Sequence, residues 1–168
     1  VNRWEVVDGW QALSLAQHVC AAWDDSCVIG LQGVNGGWYR MSESVALPDG
    51  TKEKRKISDT LLIPDLGAWE WRHRTVHILF DSDVASKTNA ETFLKSKRSG
   101  AWGAEYTLVD LLREKGADVR IVEIPGLLTG GKVGIDDYIQ AHGTHKTLEM
   151  MFDCCTSARD PEKVIQNS

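Results

Sequence analysis

Thr75 to Ala85 reads TVHILFDSDVA, and the fold is decided by how this stretch is read. Val76 to Phe80 is a short, mostly apolar run with β-branched residues, closed at once by Asp81, Ser82 and Asp83. Such a run between polar residues predicts a strand buried on both faces of a parallel sheet. Along extended chain, alternate side chains share a side, which puts Asp81 and Asp83 within ~7 Å of each other. Two carboxylates so placed repel, and a hard, oxygen-ligated cation such as Mg²⁺ (or Mn²⁺) offsets that repulsion. Open α/β sheets also bind ligands at the carboxyl ends of their strands. The alternative is that both acids are solvated loop residues, with Asp83 capping a following helix.

The chain has 168 residues, the length of one ordinary domain with a sizeable core. Its 42% hydrophobic and 26% charged content is that of a soluble globular protein. No apolar run approaches the ~20 residues that span a bilayer, and no signal peptide opens the sequence. It begins at Val1 and enters a strand almost immediately, which reads as a domain cut from a longer polypeptide. The net charge of −5 argues against broad adhesion to nucleic acid, yet allows a local basic strip. Cys20, Cys27, Cys154 and Cys155 show no zinc-ligand spacing and read as free thiols in a reducing cytosol, so a cytoplasmic location is expected.

Outward from the central stretch, Arg3 to Val7 is a strand candidate ending at Asp8-Gly9. Trp10 to Ala22 has helical periodicity, and Val28 to Leu31 is a second buried strand leading into Gly33, Gly36 and Gly37. Residues 36–72 form an insertion or loop region: Pro48-Asp49-Gly50 signals a turn, the run KEKRK follows from Lys52 to Lys56, and Ile57 to Leu66 suits a short helix or strand. Lys87 to Gly100 is polar and basic. Trp102 to Lys115 predicts a helix stopped by Gly116, and Asp118 to Ile124 a fourth strand closed by Pro125-Gly126. After the glycine-rich LLTGGKVG come IDDYIQAH and a helix from about His145 to Cys154. Strands alternating with helices predict an α/β fold: a central, mainly parallel sheet of about four strands flanked by helices. Residues 1–155 make the domain, and 156–168 a polar C-terminal tail.

Acidic groups directly follow three predicted strands: Asp8, then Asp81 with Asp83, then Asp136 with Asp137. In a parallel sheet those ends lie on one edge, so carboxylates from distant parts of the chain converge there. Phosphoryl transfer needs such a cluster, because metal ions neutralise phosphate charge and position the attacking and leaving oxygens.

In this order of motifs the chain resembles a Toprim domain, the metal-binding module of bacterial primases, topoisomerases and some nucleases. The residues that carry the resemblance are Asp8-Gly9 in EVVDGWQALSLAQ, Asp81-Ser82-Asp83, and the stretch IPGLLTGGKVGIDDYIQAHG from Ile124 to Gly143. It is most similar to the Toprim-like domain of unknown function found in primase-like replication proteins of phages, plasmids and other mobile elements. Leu62 to Asp83 and Gly116 to Gly143 look like that family's patterns, and the likeness covers roughly Trp4 to Gly143. It implies a Toprim-like fold and Mg²⁺-dependent phosphoryl transfer on nucleic acid in DNA replication. Asp81 and Asp83 would hold the metal, Asp8 would be a third ligand or acid/base, and Asp136 or Asp137 would complete the edge. The family's first acid is Glu; Asp8 is shorter by one methylene, which suits a mobile metal better than a proton transfer requiring hydrogen-bond reach. The same resemblance allows a non-catalytic scaffold that binds DNA or recruits a helicase.

Other residues carry two readings each. Lys132 is a phosphate contact or an exposed loop lysine. Lys52, Lys54, Arg55 and Lys56 grip a nucleic-acid backbone through counterion release, or are simply solvated. Of Asp136 and Asp137, one is expected near the metal and the other capping the helix that starts near Ile135. Trp10 and Trp38 follow strand ends, where they stack on a base or pack. His18, within an apolar helix, reads as structural rather than as a ligand, and the Arg72-His73-Arg74 run, at the opposite end of the central strand, as structural or partner-facing. The partners expected are DNA or RNA, nucleotides, and a helicase or other replication domain. Haloacid-dehalogenase chemistry needs a Thr where Ala85 stands, and DGWQAL lacks the glycines of a dinucleotide site.

Overall fold

A computed structural model describes residues 3–8, 11–22, 25–95, 100–125, 131–157 and 161–166. In chain order the elements are β1 (Arg3–Asp8), α1 (Gln11–Ala22), β2 (Ser26–Leu31), β3 (Trp38–Tyr39), β4 (Ser42–Ala46), β5 (Lys52–Lys56), β6 (Leu61–Leu62) and α2 (Pro64–Gly67). There follow β7 (Thr75–Leu79), a 3₁₀ turn (Ser82–Ala85), α3 (Lys87–Lys95), α4 (Gly100–Glu114), β8 (Asp118–Val122), α5 (Ile135–Asp153), β9 (Cys155–Thr156) and α6 (Pro161–Gln166).

The central sheet has the order β2-β1-β7-β8-β9. β2, β1, β7 and β8 are mutually parallel, and β9 closes the edge antiparallel to β8. Among the described residues the sheet therefore has five strands rather than about four. The fifth is a two-residue edge pairing, too short and too polar to leave a periodic signal. β7 sits in the middle, with Val76, Ile78 and Leu79 wholly buried.

Alternation along the strands builds a core on each side of the sheet. Trp4, Val6, Val76 and Ile78 pack with Trp102, Leu108 and Leu112 of α4. Val7 and Leu79 pack on the other side with Leu15 and Val19 of α1 and Ile135, Ile139 and Met151 of α5. A polar pair interrupts this second layer. Glu5 of β1 and His77 of β7 are register partners, both buried, with His77 Nδ1 3.1 Å from Glu5 Oε1.

At the amino edge Trp4, Trp69 and Trp71 cluster, with the Arg74 guanidinium 5.6 Å from the Trp4 ring centre. The Trp71 indole N–H donates to Leu66 O at 2.7 Å. The expected structural role of Arg74 is visible in that packing. Gly116, at φ +90°, ends α4 as expected, and a Cβ there would press on Arg72 at 3.3 Å.

Of three further segments, two differ from the sequence reading, whereas 135–153 agrees with helices starting near Ile135 and about His145. Lys87–Lys95, read only as polar and basic, is helix α3, which buries Ala90 and packs Phe93 against the core. The segment 135–153 is helical on both sides of Gly143, whose φ of 78° breaks the run. The polar end enters the fold twice, through β9 and through Ile165 of α6, which packs against the first core. Among the described residues no helix is long and apolar enough to cross a membrane.

Candidate metal and phosphate site at the strand ends

Because β1, β2, β7 and β8 run parallel, their carboxyl ends share one edge, as the sequence predicted. β7 ends at Leu79, and two residues later Asp81 starts the tight turn Ser82–Ala85. The chain is no longer extended there, so the strand alternation that put Asp81 and Asp83 on one side does not apply. Asp81 is 6% exposed, whereas Asp83 lies in the turn and is exposed. The backbone carbonyl of Asp83 accepts from Ser86 N at 3.0 Å and Asn89 Nδ2 at 2.8 Å, which ties the turn to the start of α3.

Both carboxylate oxygens of Asp81 are engaged. Gln11 Nε2, on the first residue of α1, donates to Oδ1 at 2.6 Å. The Lys132 ammonium stands 2.6 Å from Oδ2. A buried carboxylate is costly unless paired and hydrogen-bonded, and these two partners meet that requirement.

Lys132 reaches Asp81 because its loop is clipped to the turn. Ser82 N donates to Val133 O at 2.9 Å, and Val133 N donates to Ser82 Oγ at 2.9 Å. Gln11 bridges onward, its Oε1 accepting from Ile135 N at 3.3 Å. Gly134 is buried between these groups. A Cβ there would lie 2.5 Å from Asp136 Oδ1 and 2.6 Å from Gln11 Nε2, so only glycine lets the two side chains come so close. Ends of β1, β7 and the loop before α5 thus meet around Asp81.

Of the two acids of α5, one takes the expected capping role. Asp137 Oδ2 accepts from Gly134 N at 3.1 Å and caps the helix. Asp136 is the acid turned towards Gln11. Asp8 is the last residue of β1, in register with Leu31; its side chain lies outside the described residues. Among the described residues no three His, Cys, Asp or Glu side chains form a metal-holding group.

Elsewhere, Lys52, Lys54, Arg55 and Lys56 lie on β5, in a separate two-stranded sheet with β4, and all are exposed. The Trp38 indole N–H is committed to Ala104 O at 3.2 Å, and the ring packs against the core rather than standing free to stack. Trp10 lies outside the described residues. His18 Nδ1 is 2.6 Å from Thr144 Oγ1, joining α1 to α5. A concavity of about 920 Å³ between α4 and the β3–β6 pair includes Arg40, Thr107 and Asp110 in its lining. Its charged residues are half or fully exposed, so it has none of the buried charge that distinguishes the Asp81 site.

The sequence reading missed Gln11 and Ser82. A polar residue in the first turn of the helix after the Asp8-Gly9 pair was the available signal for Gln11. Ser82 was visible only as the middle residue of Asp-x-Asp.

Searches of curated proteins and of solved structures gave no match to this chain. The sequence model of the family described as "Domain of unknown function (DUF3854)" matches residues 17–146, most of the chain, from the second half of α1 into α5. The chain belongs to that family of domains.

Proposed function

We propose that the strand-end site binds a divalent cation, Mg²⁺ or Mn²⁺, and acts on nucleic-acid phosphates as a Toprim-like domain of a primase-like replication protein of a mobile element. One observation carries the reading: a buried carboxylate, Asp81, at the carboxyl end of the central strand, with a cationic ammonium 2.6 Å from one oxygen. The Lys132 charge neutralises a carboxylate that could equally serve a metal ion, and carboxylate oxygen suits a hard cation. The glycine at Gly134 supports the same reading, since it lets the Gln11 and Asp136 side chains close in beside the Asp81 edge.

In this reading Asp81 and Asp83 hold the ion, Asp8 and Asp136 border it, and Asp137 is reserved for the helix cap. The bound cation supplies neutralisation of phosphate charge and alignment of the reacting oxygens. Gln11 orients Asp81 through its amide. Lys132, displaced from Asp81 by the ion, becomes available to a phosphate oxygen on the exposed side, where 58% of its side chain is accessible.

A second reading has its own support. Lys132 and Gln11 already satisfy Asp81 without a metal, which suits a scaffold that binds DNA or recruits a helicase. Calorimetric titration with Mg²⁺ and Mn²⁺ separates the two. Binding by the wild type that disappears in the Asp81→Asn, Asp83→Asn double variant is expected. No heat from the wild type, or equal binding by the variant, overturns the metal reading and leaves the scaffold.

A further inference from the structure

We infer that the β4–β5 ribbon is a two-faced element whose lysine face, Lys52, Lys54 and Lys56, docks on the phosphate backbone of a nucleic acid without reading its sequence. The inference rests on the proposed function for the class of polyanion, and it goes beyond it by placing the contact on one face of one element, independent of any metal.

Register gives the segregation. β4 and β5 pair Ser42 with Lys56, Ser44 with Lys54 and Ala46 with Lys52. Residues directly opposite in an antiparallel pair share a face, and alternate residues do too. One face therefore carries Lys52, Lys54 and Lys56 against two serines and an alanine. The other carries Arg55 opposite Glu43 and Glu53 opposite Val45. The strands' acids lie wholly on the Arg55 side, so a segment of mixed charge presents one purely cationic surface. Its lysines repeat every ~6.6 Å, on the order of the separation of successive phosphates along a strand.

Folding gives no reason for this arrangement. All five β5 residues are exposed, and four of the five in β4. A two-stranded ribbon without a buried face is only marginally stable alone, and three like charges on one face add repulsion. Yet the ribbon is well closed. Leu47 N and Gly50 N bond to Thr51 O and Leu47 O at 2.8 and 3.0 Å, Asp49 accepts from Thr51 N at 2.9 Å, and Ile57 N bonds to Met41 O at 3.1 Å at the base. Lys56 also makes an exposed ion pair with Asp59 at 3.6 Å, a contact that solvent and salt weaken. A preformed ribbon of this width can lie along a backbone or enter a major groove. The insertion that carries it leaves the central sheet after β2, whose carboxyl end shares the edge with Asp81.

The test uses the whole chain in EDTA, with fluorescence anisotropy of a labelled duplex of arbitrary sequence and of a labelled single strand, across a salt series. The Lys52→Gln, Lys54→Gln, Lys56→Gln triple variant is compared with Arg55→Gln, and thermal melts check that both fold. Three lost phosphate contacts lower the steepness of log K against log salt by about 2.7 on duplex, or about 2.1 on single strand, and weaken binding on the order of 100-fold at 0.1 M salt. Arg55→Gln should change the slope little. A triple variant that binds like the wild type, an Arg55→Gln loss as large as the triple's, or wild-type binding to anionic vesicles but to neither nucleic acid, overturns the inference. Failure of the metal reading appears separately, as absent Mg²⁺ binding with the lysine-face effect intact.

Discussion

Replacing Lys132 with methionine removes the cation from Asp81 while keeping the length and apolar stem of the side chain. In the wild type the ammonium lies 2.6 Å from a carboxylate that is nearly buried, and the Gln11 amide holds the other oxygen at 2.6 Å. Breaking a fully buried pair costs about 3–5 kcal/mol. Here the lysine side chain is 58% exposed and Asp81 keeps Gln11, so solvent screening reduces the cost to roughly 1–2 kcal/mol. For a chain of this size that is a fall in Tm of about 3–6 °C in EDTA. The same change removes the group competing for Asp81, so Mg²⁺ should bind about 5–30 times more tightly, and excess Mg²⁺ should raise the Tm of the variant more than that of the wild type. Differential scanning calorimetry with and without Mg²⁺ reads both effects, and isothermal titration gives the affinities. An unchanged Tm in EDTA would show that the ammonium does not stabilise Asp81. Mg²⁺ binding no tighter than wild type would refute competition at that carboxylate.

Three further outcomes follow from the packing. His77→Ala removes the imidazole that bonds the buried Glu5 carboxylate and should cost about 1–3 kcal/mol in urea unfolding; an unchanged stability contradicts the buried pairing. Gly143→Ala places a Cβ at φ +78°, ψ 170°, a region essentially restricted to glycine, with nothing within 4 Å, so the cost is backbone strain alone, about 1–3 kcal/mol, and Gly143→Asn should cost as much. The Cys154 thiol is pushed up by burial and then by Asp153, Glu123 and Cys155. It should react with a disulfide reagent more slowly than a free thiol at mildly alkaline pH. Its stabilising contribution is present below the unfolded thiol value and is lost as pH rises through the raised folded one.

The parallel sheet was legible because β1, β2, β7 and β8 are short apolar runs with helical periodicity between them. α3 was not, because among its described side chains Ala90 and Phe93 alone join the apolar core, too few to set a period. β9 is two residues on an edge, defined by its partner β8 and not by its own pattern. Glu5 and His77 were hidden for another reason: each looks like a polar interruption in an apolar strand until the register sets them side by side.

At the site, the position of Asp81 was legible from its place after the central strand, and a capping acid from the pair Asp136-Asp137 at a helix start. The hold on Asp81 was not. Gln11 lies 70 residues away and Val133 meets Ser82 across 51, and no local pattern encodes contacts made by three separate loops at one edge. Lys132 had been readable as a loop lysine because its role depends on the Ser82 clip, which is visible only in three dimensions. The lysine face of the ribbon is an intermediate case. KEKRK was plain in the sequence, but its two faces appear only once the partner strand is in register.

The central claim is that the edge around Asp81 takes a divalent cation, and amide NMR of the isotopically labelled chain during a Mn²⁺ titration tests it most directly. The account predicts early, selective broadening of Asp81 to Asp83, Gln11 and Val133 to Asp136, with Trp71 and Arg74 at the opposite edge of the sheet untouched. Broadening that begins elsewhere, or that persists unchanged around Asp81 in the Asp81→Asn, Asp83→Asn variant, would contradict it.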